Sequence, residues 1–128
     1  MKVLVTGDRH YTDEIIVGVT LSGFRDLATD LFEDLVIIDG GATGADALAR
    51  TWGKGYDNVK HITVDAEWDK YGKKAGPIRN RKMYDEHRPN VVLAFHDDLG
   101  TSKGTKDMVN YVRSKGGLVY HIRRDLSR

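Results

Sequence analysis

The sequence predicts an open, doubly wound α/β fold: a parallel five-stranded sheet with helices on both faces. Three observations predict it. Short apolar, β-branched runs alternate with longer helical stretches in the order β-α-β-α-β-α-β-α-β. The strand runs are apolar throughout rather than alternating, as strands buried on both faces require. Glycine-rich or densely polar clusters follow directly on four of these runs, at residues 5–13, 38–49, 66–80 and 95–108. Open parallel sheets bind ligands beyond the carboxyl ends of their strands, so all four clusters fall on the ligand-binding edge.

Each element has its own signal. Residues 2–6 form the expected first strand. Thr12 is placed to cap the next helix, Asp13 and Glu14 suit its positive end, and Phe24, Leu27, Ala28, Leu31 and Phe32 form the apolar stripe of its second half. Residues 35–39 read as the second strand. Ala45, Leu48, Ala49 and Trp52 fall at helical spacing before Gly53 and Gly55, and a third strand covers about 58–64. A polar stretch leads to a helix from near Lys74 or Pro77 to His87, stopped before Pro89. Residues 91–95 form the fourth strand, 105–115 a helix with Met108, Val109 and Val112 inward, and 118–122 the last strand.

At 128 residues the chain suits one domain, residues 1–128, with 123–128 as a short basic tail. A net charge of +1 gives no global argument for nucleic acid or an anionic membrane, so either would need a local patch. Without cysteine there is no thiolate nucleophile, disulfide or Cys-ligated zinc. No apolar stretch is long enough to span a bilayer, and a cytoplasmic protein is expected. The five histidines are scattered, and His96-Asp97-Asp98 reads as an exposed acidic loop, so neither metal nor cofactor is expected.

The clusters suggest a phosphate-and-base site. In IDGGATGAD, Gly40 and Gly41 admit backbone geometry closed to other residues, and the helix behind them directs free N–H groups at an anion. Alternatively this is a tight strand-to-helix turn, with Thr43 as cap and Asp46 in a capping-box-like role. Gly41-x-x-Gly44 fits only part of a dinucleotide fingerprint, because Asp39 takes the place of the first glycine. In GTSKGTKD, Gly104 and Thr105 sit among hydroxyls and lysines at a helix start, a composition suited to holding phosphate, without the spacing of a Walker loop. Thr6 and Gly7 would floor the site. Arg9 would pair with phosphate, stack on a base, or bridge to Asp8 or Asp13. Arg79 and Asn80 open a helical turn, with Arg79 able to hold phosphate; burial in a core or interface is expected for Trp68.

Taken together, GDRHYTD, DGGATGADALA, DAEWDKYGKKAGPIRN with Met83, and AFHDDLGTSKGTKDMV resemble the YspA-like (cpYpsA-related) branch of the SLOG superfamily. The W-D-x-Y-G-x-x-A-G-P-x-R-N run is the specific part. The resemblance implies a Rossmann-like fold, a nucleotide-type ligand at the carboxyl edge, an origin in bacteria or their phages, and relatives that often pair as homodimers. It also implies distant kinship to LOG phosphoribohydrolases and to DNA-processing protein A. In LOG enzymes a P-G-G-x-G-T-x-x-E motif supplies phosphate contacts and an essential acid. Gly104-Thr105 match its glycine and threonine, but Met108 stands where the acid belongs. Arg79 resembles the catalytic arginine of those enzymes. Asp46, Glu67 and Asp69 remain as substitute carboxylates, and nothing in the sequence selects among them.

The expected function is therefore binding of a nucleotide or nucleotide-derived small molecule, as a sensor, carrier or sequestering domain. The expected contacts are Thr6, Gly7, Arg9, Gly40, Gly41, Asp46, Arg79, Asn80, Gly104 and Thr105. One alternative is N-glycosidic cleavage of nucleoside 5′-monophosphates, with Arg79 catalytic. The other is single-stranded DNA binding through a patch of Lys70, Lys73, Lys74, Arg79, Arg81 and Lys82. Met108 favours holding a nucleotide over cutting one.

Overall fold

In a computed structural model, which describes residues 1–124, five strands form one all-parallel sheet. They are β1 (Lys2–Gly7), β2 (Leu35–Asp39), β3 (Val59–Thr63), β4 (Val91–Phe95) and β5 (Val119–Ile122), in the order β3-β2-β1-β4-β5. The order reverses between β1 and β4. Chain passing through β2 and β3 builds one half of the sheet, and chain passing through β4 and β5 builds the other.

The pleat sorts the strand side chains into two cores. Leu4 pairs in register with Ile38 on one side and Val92 on the other, and all three join Met83, Met108 and Val112 in one apolar cluster. Val3, paired with Ile37 and Val91, belongs to a second cluster with Val17, Leu21, Ala28, Ala45 and Ala49. Successive strand residues point to opposite faces, so α1 (Glu14–Asp30) and α2 (Ala45–Gly53) cover one face. The other is covered by α4 (Ala75–His87) and α5 (Gly104–Ser114). This is the doubly wound, Rossmann-like arrangement the sequence predicts.

Several local expectations are corrected. Asp13, not Thr12, caps α1, its carboxylate accepting the Ile16 N–H at 3.0 Å. The buried face of α1 is Val17, Leu21 and Ala28, with Phe24 partly buried, whereas Leu27 and Leu31 face outward. Positions 17, 21, 24 and 28 repeat at spacings of four, three and four, one continuous helical stripe; Leu27 lies off it, and Leu31, which would continue it, follows the last helical residue, Asp30. Phe32 follows the helix end at φ 57° and is 99% exposed.

The stretch before α4 is not a plain loop. It winds as a one-turn helix, α3 (Trp68–Tyr71), then a 3₁₀ turn at Gly72–Lys74. Trp68, expected in a core or an interface, is 58% exposed there and so lies outside the core. Arg124, near the start of the expected basic tail, is tied down, donating to Asp97 from its backbone and its guanidinium. Residues 125–128 of the expected basic tail lie outside the described residues. Among the described residues, no helix is long and apolar enough to cross a membrane.

Candidate functional site

The end of β1 is held close to β4. Asp8 N–H donates to the Phe95 carbonyl at 2.9 Å, and the Asp8 carbonyl accepts the amides of Tyr11 and Ala45, each at 3.1 Å. Gly7 fills the narrowest point, where a Cβ would strike the Phe95 carbonyl and lie 2.8 Å from the Ala45 methyl. Gly44 likewise lies against the backbone of Asp8 and Arg9 at φ 71°, so the β1 loop and the start of α2 form one unit. Thr43 does not cap α2; its hydroxyl donates to the Arg9 carbonyl at 2.9 Å.

The glycine turn after β2 is occupied by its own carboxylates. Asp46 Oδ2 accepts the amides of Gly40 at 3.0 Å and Ala42 at 3.3 Å, and Asp39 Oδ1 accepts that of Gly41 at 2.6 Å. The amides expected to meet a ligand anion therefore face side chains two to six residues away. Asp46 does reach back across the turn, although to Gly40 and Ala42 rather than to its own helix cap. Burial, and then the nearby Asp39 carboxylate, push the Asp46 pKa up to about 7. Asp39 behaves oppositely. Burial works to raise its pKa, but hydrogen bonds from His61 and the Gly41 amide, and the charge of Arg50 2.7 Å away, hold it below the ordinary range.

The opposite helix layer supplies Arg79. Its Nη1 donates to the Gly40 carbonyl at 2.5 Å, and its Nε donates to Asn80 Oδ1 at 3.0 Å. Burial lowers its pKa, while the carboxylates of Asp46, Asp65 and Asp39 favour its charge. Asn80, itself buried, donates from Nδ2 to the Gly104 carbonyl at 3.3 Å and to Asp107 at 3.1 Å. It thus fixes Arg79 relative to the first turn of α5. There Ser102 Oγ accepts the Thr105 amide at 3.1 Å, while the amides of Gly104 and Lys106 find no acceptor among the described residues.

These parts surround one cavity of about 390 Å³ at the reversal of strand order. Of the expected contacts, Thr6, Gly7, Arg9, Asp46, Arg79, Asn80, Gly104 and Thr105 line it, whereas Gly40 and Gly41 do not. Arg9 makes no ion pair with Asp8 or Asp13, and its exposed side chain stands at the cavity. His10 and His96 also line the cavity, and His96, expected in an exposed acidic loop, is instead buried. For His96 the available signal was its place directly after the fourth strand. Of the three substitute carboxylates only Asp46 lines this cavity; Glu67 faces a neighbouring one, and Asp69 faces neither.

The basic patch is less open than its sequence suggests. Arg79 turns inward, and Arg81 pairs with Asp107 at 3.2 Å and lies over the Tyr111 ring.

Comparison with known proteins agrees with this architecture. Residues 1–71 match the YspA, cpYpsA-related SLOG family (YAcAr). The Gene 61 protein of Mycobacterium phage D29 is 35% identical over 122 residues, which cover 90% of each chain. A five-stranded parallel sheet wound on both faces, the strand-end clusters and these two similarities together establish that the chain belongs to the YspA, cpYpsA-related SLOG family.

Proposed function

We propose that the chain binds a phosphate-bearing nucleotide or nucleotide-derived small molecule in the cavity between β1, α2, α4 and α5. One observation carries the reading: the cavity at the strand-order reversal gathers Arg9, Arg79 and Lys103 with the first turn of α5. The free amides of that turn and the positive end of the helix dipole suit an anion, and three cationic side chains from three different segments add to the attraction. The proposed contacts are Thr6, Gly7, Arg9, Asp46, Arg79, Asn80, Gly104 and Thr105. SLOG membership supports nucleotide-related binding or processing at a coarse level.

In this reading Asn80 acts through its neighbours. Its side chain holds the Arg79 guanidinium with one atom and the start of α5 with another, so cation and amide donors keep a fixed separation before a ligand arrives. Calorimetric titration with a panel of mononucleotides and inorganic phosphate tests the reading. Saturable binding that weakens in Arg79→Ala is the expected result. Absence of binding by every phosphate-bearing ligand at millimolar concentration would overturn it.

A further inference from the structure

Three side chains that are at least nine-tenths buried bring an unpartnered polar atom to this cavity. Asp46 is 5% exposed, Thr105 4% and His96 9%. Asp46 uses Oδ2 for the Gly40 and Ala42 amides, and Oδ1 has no hydrogen-bond partner among the described residues. Neither Thr105 Oγ1 nor His96 Nε2 has one. Among the described residues, Tyr11 OH is the one fully enclosed side-chain polar atom lacking a partner, so these three are reached from the cavity they line. Polar atoms on side chains held so firmly point in fixed directions, and a ligand that matches them takes the place of solvent in the cavity.

Their chemistry is mixed. The Asp98 amide donates to His96 Nδ1 at 3.0 Å, which places the imidazole proton on Nε2 as a donor toward the cavity. Thr105 Oγ1 donates or accepts. Asp46, with burial and then Asp39 holding its pKa at about 7, offers a carboxylate acceptor in one fraction of molecules and an O–H donor in the other. A bare phosphate, which only accepts at high pH, uses this set poorly. A sugar hydroxyl, donor and acceptor together, uses it well.

What the walls lack matters equally. No Phe, Tyr or Trp lines this cavity. Tyr71 lines a separate cavity of about 410 Å³ that shares only Arg79 with the first, and Trp68 lines neither. A base would find only the smaller imidazole rings of His10 and His96, and His96 presents Nε2 as a polar contact.

Resting on the binding reading above, we propose that the cavity recognises the ribosyl phosphate part of its ligand through Asp46 Oδ1, His96 Nε2 and Thr105 Oγ1. The base lies at the mouth, beside the exposed Arg9 and His10, and is not discriminated.

Calorimetry on the full chain with AMP, UMP, 2′-deoxy-AMP, ribose 5-phosphate and inorganic phosphate decides it. The expected result is that AMP, UMP and ribose 5-phosphate bind within about tenfold of one another, since base stacking inside the site would separate them further. Deoxy-AMP and phosphate should each bind at least about tenfold more weakly, because a buried group built to meet a hydroxyl rejects the analogue without it. Thr105→Val, which keeps the branched shape, should weaken ribose 5-phosphate about tenfold while the fold persists by circular dichroism. Equal affinity for AMP and deoxy-AMP, binding of AMP without ribose 5-phosphate, or unchanged affinity in a folded Thr105→Val protein would each overturn the proposal. The first two leave phosphate binding intact, whereas silence from all five ligands overturns the binding reading together with it.

Discussion

Arg79 on α4 donates from Nη1 to the carbonyl of Gly40, 39 residues earlier, at 2.5 Å. The bond joins the helix layer on one face of the sheet to the turn that feeds the layer on the other. It also aims the remaining guanidinium surface along the cavity wall.

Arg79→Lys should therefore lose more than charge geometry. A lysine keeps the cation but cannot hold the Gly40 carbonyl and Asn80 Oδ1 with a planar fork. The expected cost is about 1–3 kcal/mol of stability, read by urea unfolding, with a ten- to hundredfold loss of nucleotide affinity by calorimetry.

Asp46 sets a pH dependence of known sign. Its folded pKa, about 7, lies above that of an unfolded aspartate, so the folded chain binds the extra proton between roughly pH 4 and 7. Its stabilising effect is whole below about pH 4 and is lost as pH rises through 7. Asp46→Asn should remove that slope, and at pH 8 it should be more stable than the parent by on the order of 2–4 kcal/mol. Urea midpoints at pH 5 and pH 8 measure it. Asp39, with its lowered pKa, contributes in the opposite sense: its stabilisation is present above the unfolded aspartate value and is lost as pH falls through its folded pKa.

Gly7→Ala should destabilise the fold by about 1–3 kcal/mol, the usual cost of forcing a methyl into a filled space. The added carbon meets the Phe95 carbonyl and the Ala45 methyl, neither of which is the movable end of a long side chain. A melting temperature equal to the parent's would show that β1 and β4 can separate at their carboxyl ends.

Phe32→Gly should raise stability. The phenylalanine sits at φ 57° and buries nothing, so it carries the strain of a left-handed conformation without packing to offset it. Relief of that strain, less the flexibility glycine adds to the unfolded chain, leaves a gain of about 0.5–1 kcal/mol in urea titration.

The sheet was legible because strand burial is a property of short runs. Val3 to Val5, Ile37 to Ile38 and Val91 to Phe95 read as strands buried on both faces, and they are. The location of the cavity was legible for the same reason, since strand ends follow once strands are known. The occupancy of the glycine turn was not. A strand followed by Gly40-Gly41 looks the same whether its amides await a ligand or an internal carboxylate, and only folding brings Asp46 Oδ2 to the Gly40 and Ala42 amides. Long-range pairing also hid the fates of Arg81 and Arg124, whose acidic partners are 26 and 27 residues away. Trp68 lies outside the core because a single helical turn offers too little backbone to bury so large a ring.

The cavity takes α2 from one layer and α4 with α5 from the other, with Asn80 already coupling α4 to α5. A small molecule seated there would act as a mechanical rivet through the edge of the sheet. Amide exchange should then slow on both outer surfaces at once, so a partner protein touching either surface has a means of sensing whether the cavity is filled.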